Sequence, residues 1–331
     1  MSGADIPYQL RPNKYIDRQI FVDLLNRVLS ERGNENFVYV SMGGKHLADH
    51  NIIYHQVGIP NLLSIDKSGN VVRRQLLNRP IDKAECWEMD SGALSQSMDA
   101  VFEKFGEEKN LVLWLDYTDP HARLMQLQEF IAILGVLQPG DILRITLNAN
   151  NGSLGDESEW KKEGFESPKA FRLAKLKNQL GELVPVDLPE IGDEDLPEAL
   201  VKCIELAVST AEEQRSDVKV QPLLLTSYRD GQRMMTVAVQ ILPTDHKREL
   251  PAGLHSWPFK AKGWDGIVRI EAPDLSLREK QKIDRHLNRA PSYILERLQF
   301  FPAKSREASL EAIRSYKKLH RYYPEFRHVP I

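Results

Sequence analysis

A chain of 331 residues, 42% hydrophobic and 27% charged, has the composition of an ordinary globular protein, long enough for one large domain with a substantial appendage. No run approaches the roughly 18 to 20 apolar residues of a membrane helix, and MSGADIPYQLRPNKY carries no signal-peptide core. Cys86 and Cys203 lie far apart in apolar stretches, which suits reduced core thiols better than a disulfide frame or a metal site, so the expected location is the cytoplasm. The net charge of −3 hides an asymmetry: residues 276–331 hold thirteen Lys and Arg against six Asp and Glu, a surplus of +7 that leaves −10 for the rest, and ten acids face two bases between Asp187 and Asp217. Such faces are either solvated helix surfaces or, for the basic one, a surface for nucleic acid or an acidic partner.

The chain opens with a predicted helix. Over Tyr15 to Arg32, the residues Ile16, Ile20, Phe21, Leu24, Leu25, Val28 and Leu29 recur at the spacing of one helical face, and Gly33 with Asn34 stops it. Phe37 to Met42 then reads as a strand, Gly43 and Gly44 as a turn, Lys45 to Val57 as a helix, and Asn61 to Asp66 as a second strand. In a βαβ unit of this order, glycines let the backbone approach a ligand and the helix N-terminus offers unpaired N–H groups. An acid about 20 residues on, at the tip of the second strand, is placed to accept hydrogen bonds from ribose hydroxyls. Gly43 and Gly44 are then a ligand cradle and Asp66 a ribose reader, the alternative being a purely structural turn.

Further strands are predicted at Ala84 to Met89, Asn110 to Tyr117 and Asp141 to Asn148, with helices at Ser91 to Phe105 and Ala122 to Leu134. Val71 to Arg79 reads as no more than a short turn of helix. Strands alternating with helices imply parallel crossovers and a sheet buried on both faces. Asn150 to Ser167 is a polar insertion without periodicity, a surface loop or a lid over the ligand-binding edge of the sheet. Helices follow at Pro168 to Gly181 and Leu196 to Gln214. Val218 to Ser227 and Arg233 to Leu242 are strands joined by Tyr-Arg-Asp-Gly-Gln, the signal of a hairpin. From Thr244 the chain holds a loop with Trp257 and Trp264 and then helices at Ser276 to Leu287, Tyr293 to Phe300 and Glu307 to Tyr322. The division expected is an N-terminal helix over 1–36, an α/β domain over 37–243 and a basic helical extension over 244–331.

His46 and His50 stand four residues apart and are expected to share a helix face beside solvent or a ligand, without the glutamate of a zinc H-E-x-x-H site. Near the end, SYKKLHRYYPEF interleaves bases with aromatic rings as a nucleic-acid platform does. Ile313, Tyr316, Leu319 and Tyr323 also fall at the spacing of a packing stripe.

A sheet of five parallel strands closed by an antiparallel hairpin, with a glycine turn after the first strand and an acid after the second, resembles that of class I S-adenosylmethionine-dependent methyltransferases. More narrowly, LRPNKYIDRQIF, VYVSMGGKHLADHNIIYHQVGIPNLLSID, the NRP at Asn78 to Pro80, LWLDYTDP at Leu113 to Pro120, GDILRITLNAN and SYKKLHRYYPEF resemble a bacterial family of putative O-methyltransferases, some of whose members are associated with mobile or defence-related loci. The resemblance implies a Rossmann-like seven-stranded sheet with helices on both faces, a helical C-terminal extension, and S-adenosylmethionine as cofactor. It places Gly43 and Gly44 at the methionine portion, Asp66 at the ribose, and Asp90 with Ser91 at the adenine edge. Asp116 and Tyr117 would face the acceptor, Asp116 as base or orienter and Tyr117 stacking on or hydrogen-bonding to it.

The chain departs from the class where an acid normally stands two residues before the first glycine: that position is Ser41. Asp49 then replaces the lost carboxylate or is an ordinary surface acid of the helix. Asp116 is alternatively a cap of the following helix, in competition with Thr118 and Asp119. Leu-Asp-Tyr-Thr-Asp-Pro has the acid but not the paired prolines of an amino-methylating D-P-P-Y pocket, and nothing in the spacing of Asp116, Asn148 and Asn150 requires a metal. The sequence therefore supports two readings. One is an S-adenosylmethionine-dependent methyltransferase with a hydroxyl or amine acceptor. The other is a non-catalytic methyltransferase-like subunit, of a bacterial defence complex for instance, whose basic residues 276–331 meet nucleic acid or a protein partner.

Overall fold

The computed structural model describes residues 10–30, 32–156, 158–245 and 251–324. Residues 1–9 and 325–331, on which the leader reading and the end of SYKKLHRYYPEF fall, lie outside them. The chain divides into two compact units, one comprising Phe21–Ser227 and Gln232–Val268, the other Met1–Ile20, Tyr228–Gly231 and Arg269–Ile331.

The larger unit is built on the sheet. Its strands are β1 (Phe37–Ser41), β2 (Asn61–Asp66), β3 (Glu85–Glu88), β4 (Asn110–Asp116), β5 (Ile142–Asn148), β6 (Val218–Asp230) and β7 (Gln232–Pro243), in the order β3-β2-β1-β4-β5-β7-β6. Strands β1 to β5 pair in parallel, and β5 meets β7 antiparallel from Ile142 opposite Gln240 to Asn148 opposite Met234. All of β1 and β5 is buried, as is the centre of β2 and β4, because helices cover both faces and no position is left for an alternating polar residue. The hairpin turns at Gly231, whose φ of 97° a side chain would disfavour. An eighth strand, β8 (Val268–Ile270), extends the sheet beside β6. It corrects the expected count of seven; three residues are too few to show a period in sequence.

Between the strands run α2 (Ala48–Ile52), α3 (Gly69–Leu77), α4 (Met98–Phe105) and α5 (Arg123–Leu134), and after β5 come α6 (Pro168–Leu180) and α7 (Leu196–Gln214). The helix α3 corrects the expectation of a short turn. The leading helix, α1 (Pro12–Leu29), buries Ile16, Ile20, Phe21, Leu24, Leu25, Val28 and Leu29 as its spacing predicted. Phe21 helps to house a buried cation: the Arg144 guanidinium of β5 lies 4.3 Å from the Phe21 ring centre and 4.1 Å from that of Trp114, a desolvated cation–π stack. Cys86 and Cys203 are buried and unbridged.

In the second unit, α8 (Leu277–Asp284), α9 (Pro291–Leu298) and α10 (Arg306–Leu319) enclose Leu275, Ile283, Ile294, Leu295, Leu298, Ile313 and Tyr316. Ser276 and Glu279 form a reciprocal capping box at the start of α8, and Ser305 caps α10 through the Ala308 N–H. Tyr316 donates from its hydroxyl to Asp284 Oδ1 at 2.9 Å, and Leu319 is fully buried. The C-terminal stripe is therefore core.

Candidate active site

The parallel register lines up the expected residues. On β1, Ser41 lies opposite Ser64 of β2 and Trp114 of β4. Two residues further on, Asp66 and Asp116 end the strands on either side of β1, and the Gly43–Gly44 turn follows the end of β1 between them, with the Gly43 N–H donating to Ser64 Oγ at 3.2 Å. Neighbouring strands lie about 4.8 Å apart, so the two carboxyl-bearing positions flank the glycine turn at roughly 10 Å from each other. This edge is where open α/β sheets bind ligands. Glu88 of β3 stands opposite Asp66, and Thr146 of β5 opposite Asp116.

The turn is held from α3. Gln75 donates from Nε2 to the Gly44 carbonyl at 3.1 Å, and Asn78 from Nδ2 to the Lys45 carbonyl at 2.8 Å. Leu47 takes up a left-handed conformation with φ 49° and drives its side chain into a cluster with Val72 of α3 and Cys86 of β3. Gly43 is required by packing: a Cβ there would stand 2.5 Å from Leu47 Cδ2 and 2.7 Å from both His50 Cε1 and Ser64 Oγ. Gly44 differs, with φ 54° and no atom within 4 Å of its would-be Cβ, so its backbone opens to a ligand. Gly43→Ala is accordingly expected to lower stability by about 1 to 3 kcal/mol in urea unfolding, and an unshifted midpoint would show that the turn gives way freely.

His46 and His50 do not share a face. The helix begins only at Ala48, leaving His46 exposed in the turn, whereas His50 is buried, 3.0 Å by Nε2 from the Leu63 carbonyl and edge-on to Tyr39. Asp49 is buried in the first turn of α2 and so is not a surface acid. Burial holds the His50 pKa below the ordinary 6.5, against the opposing pull of the Leu63 carbonyl and Asp49. As pH falls, the unfolded chain takes up this proton first. The stability associated with neutral His50 is thus fully present above about 6.5 and is lost below it, at up to about 1.4 kcal/mol per pH unit. His50→Gln should flatten that limb of the urea midpoint between about pH 7 and 5; an unchanged slope would assign it to other groups.

Three acids along the edge, Asp66, Asp90 and Asp119, each have a local task for one oxygen. Asp66 Oδ1 accepts from the Ser68 N–H at 2.8 Å, and Asp90 Oδ1 from the Gly92 N–H at 3.0 Å as it caps the turn Ser91–Ser97. Asp119 Oδ1 accepts from the His121 N–H at 2.9 Å. The cap of the segment leading into α5 is thus Asp119, and Asp116 is not spent on it. Tyr117 is buried, with its hydroxyl donating to Glu129 of α5. Burial first and then the Glu129 carboxylate push its pKa far up, and Asp90 and Ser91 are close enough to act on it. The hydroxyl of Tyr117 is thus donated to Glu129, with the Asp90–Ser91 loop beside it.

Arg123, the first residue of α5, was missed by that reading. Fully buried, it donates from Nε and Nη2 to the Asn148 carbonyl at 2.8 and 2.6 Å, from Nη2 to Ser153 Oγ at 2.6 Å and from Nη1 to Gln179 Oε1 at 2.8 Å. Burial brings its pKa down to about 10 despite the nearby Asp119. One signal was available: a cation in the first turn of a helix opposes the helix dipole, so Arg123 needed another reason to be there. It ties the end of β5, the turn Asn151–Leu154 and α6 together. Asn148 donates from Nδ2 to the Thr118 carbonyl at 3.1 Å, and Asn150 from Nδ2 to Gln232 Oε1. Beside these ties lies a cavity of about 720 Å³ lined by His121, Gly152–Asp156, Lys175 and Gln179. The start of the polar insertion is therefore a pinned wall of a cavity.

The family described as Putative O-methyltransferase matches residues 6–331 of the chain. The chain belongs to this family. No curated protein matches it in sequence. Among solved structures it is similar to Trm1 from Pyrococcus horikoshii in complex with S-adenosyl-L-methionine, at 17% identity over 91% of this chain and 85% of that one, with a TM-score of 0.46. It is also similar to a SAM-dependent methyltransferase from Anabaena variabilis, at 9% identity over 69% and 86% with a TM-score of 0.37, and to the plantazolicin methyltransferase BpumL in complex with SAH, at 10% identity over 68% and 84% with a TM-score of 0.36. The residues present leave room for the cofactor that an O-methyltransferase of this family would use. Gly44 leaves open space at the turn, Asp66 and Asp90 each keep a second carboxylate oxygen for a ligand donor, and the buried Ser41 Oγ and His50 Nδ1 near the turn have no partner among the described residues. No helix among these residues is long and apolar enough to cross a membrane.

Proposed function

We propose that the chain is an S-adenosylmethionine-dependent methyltransferase that acts on a hydroxyl or amine acceptor. The observation that carries this reading is that Asp66 and Asp116 end the strands on either side of β1, whose end leads into the Gly43–Gly44 turn, in a chain of the O-methyltransferase family. When bound, the cofactor supplies a methyl group already activated on a sulfonium, so the protein needs no nucleophile of its own. What the chain must do is hold, orient and exclude water.

In this reading the open backbone at Gly44 faces the methionine portion, and Asp49, buried just beyond the turn, stands in for the carboxylate absent at Ser41. Asp66 accepts from the ribose hydroxyls, with its Oδ1 still holding the Ser68 N–H. Asp90 and Ser91 meet the adenine edge, and Tyr117 keeps their loop against α5 through Glu129. Asp116 is the group across the turn from Asp66. It would accept a hydrogen bond from the acceptor's O–H or N–H, orient the acceptor, and take up the proton that the acceptor loses. The acceptor enters from the side of the cavity at His121 and Gly152–Asp156.

The test is transfer of labelled methyl groups from S-adenosylmethionine to cell material separated into small molecules, nucleic acid and protein. Label appearing in one fraction supports the reading and identifies the acceptor class. A chain that binds the donor yet labels none of the three would overturn the catalytic part of it.

A further inference from the structure

The C-terminal unit carries a surface for which methyl transfer has no use. The helix α9 stops at Leu298, and Gln299 turns the chain out of it in a left-handed conformation with φ 65°. The next two residues, Phe300 and Phe301, are 43% and 59% exposed. With Leu295 and Glu296 of α9, Gln299 and Arg306, they line a cleft of about 350 Å³ that also touches Ser292. Two adjacent phenyl rings about half exposed beside a cleft, in a unit with its own apolar core, call for an occupant.

The surroundings say what kind. On the adjoining side of α9, Tyr293 has the Arg297 guanidinium 5.3 Å and that of Arg289 5.7 Å from its ring centre, with His286 edge-on at 5.6 Å. Arg297 Nε also donates to the Tyr293 hydroxyl at 3.2 Å. Lys304 and Arg306 are exposed, Arg306 at the cleft itself. Across residues 276–324, twelve Lys and Arg face five Asp and Glu. Aromatic rings set among exposed guanidinium and ammonium groups are the elements of a single-strand platform, in which bases stack and cations track the phosphates. Of the aromatic residues that the sequence offered for that task, Tyr316 is buried in the core and Tyr323, partly buried, packs against it.

We infer that this surface binds single-stranded nucleic acid, with bases stacked on Phe300 and Phe301 and phosphates held by Arg289, Arg297, Lys304 and Arg306. A purely acidic peptide would use the charge but leave the two rings uncovered, and a duplex keeps its base faces covered, whereas a single strand offers both a base face for each ring and a phosphate for each cation. Glu296 is the one acid of the cleft lining. It repels phosphate but accepts from exocyclic amino groups, which favours cytosine over uracil or thymine. The inference is independent of the methyl donor and of the sheet edge.

The experiment is fluorescence anisotropy of the full chain with labelled 12-nucleotide oligo(dC) and oligo(rC), beside oligo(dT), a duplex and polyglutamate as competitors. With four phosphates neutralised and about 0.7 ion released for each, affinity should fall about 50-fold between 50 and 200 mM salt. The double variant Phe300→Ala/Phe301→Ala should weaken binding by at least about tenfold at an unchanged salt slope. Arg297→Gln/Arg306→Gln should instead flatten the slope by about 1.4. All four side chains are exposed, and circular dichroism checks that the variants remain folded. The preference between the ribose and deoxyribose strands tells which nucleic acid is bound. Absence of binding at 50 mM salt would overturn the inference. So would a phenylalanine variant that binds like the wild type, or a duplex or polyglutamate that competes as well as the single strand.

Discussion

Asp116→Asn is expected to slow methyl transfer by about 10²- to 10⁴-fold, the range over which a positioned acid or base acts, while leaving donor affinity within about twofold. Asparagine keeps the volume and one acceptor oxygen but cannot take a proton, so the loss should fall on the transfer step and not on binding. The structure makes the variant informative, because the neighbouring helix start is capped by Asp119 and not by Asp116. The strand itself is fixed by main-chain pairing and by buried Leu111 to Leu115. Single-turnover transfer to the labelled fraction, compared with a urea midpoint for each protein, separates the outcomes. Wild-type transfer rates in the variant would remove Asp116 from proton transfer and leave it an orienting role at most.

The second large effect is on stability. Arg123→Met should cost about 3 kcal/mol, within a range of roughly 2 to 5, because it strips both Arg123 donors from the Asn148 carbonyl and the donors to Ser153 Oγ and Gln179 Oε1, leaving those two side chains only their bonds to the Asn150 and Pro120 carbonyls. Methionine preserves most of the aliphatic stem, so the loss reports the hydrogen bonds more than a void. The same variant should make the segment Asn151–Leu154 more open to proteolysis, since Ser153 loses the donor that pins it to the end of β5. A shift of the urea midpoint worth less than about 1 kcal/mol would mean that the turn holds its place without Arg123.

These two residues mark the limits of what the sequence discloses. The parallel strands were legible because burial on both faces writes them as near-continuous apolar runs, and the hairpin because Asp230 and Gly231 sit between two such runs. Asp66 and Asp116 were legible because strand ends can be counted. By contrast, α3 was obscured: one of its two buried residues is Gln75, whose reason for burial is a hydrogen bond to the Gly44 carbonyl 31 positions away. The His46 and His50 pairing failed because Leu47 adopts a left-handed conformation that delays the helix to Ala48. The hydrogen bond from Tyr117 to Glu129 was not legible because Glu129 lies on the next helix, twelve positions on. Predicting a helix from Tyr293 through Phe300 hid the exposed phenyl pair, since the turn at Gln299 depends on local backbone geometry that no apolar pattern announces.

The central claim, that the edge from Gly43 to Asp66 is a cofactor cradle, is tested most directly by calorimetric titration of S-adenosylmethionine into the wild type beside Asp66→Asn. The amide retains the oxygen that accepts from the Ser68 N–H and removes the charge and the second acceptor. The expected result is micromolar binding by the wild type and about 10- to 100-fold weaker binding by the variant at unchanged stability. Equal affinity in the two proteins, or no heat from the wild type at high micromolar donor, would contradict the account.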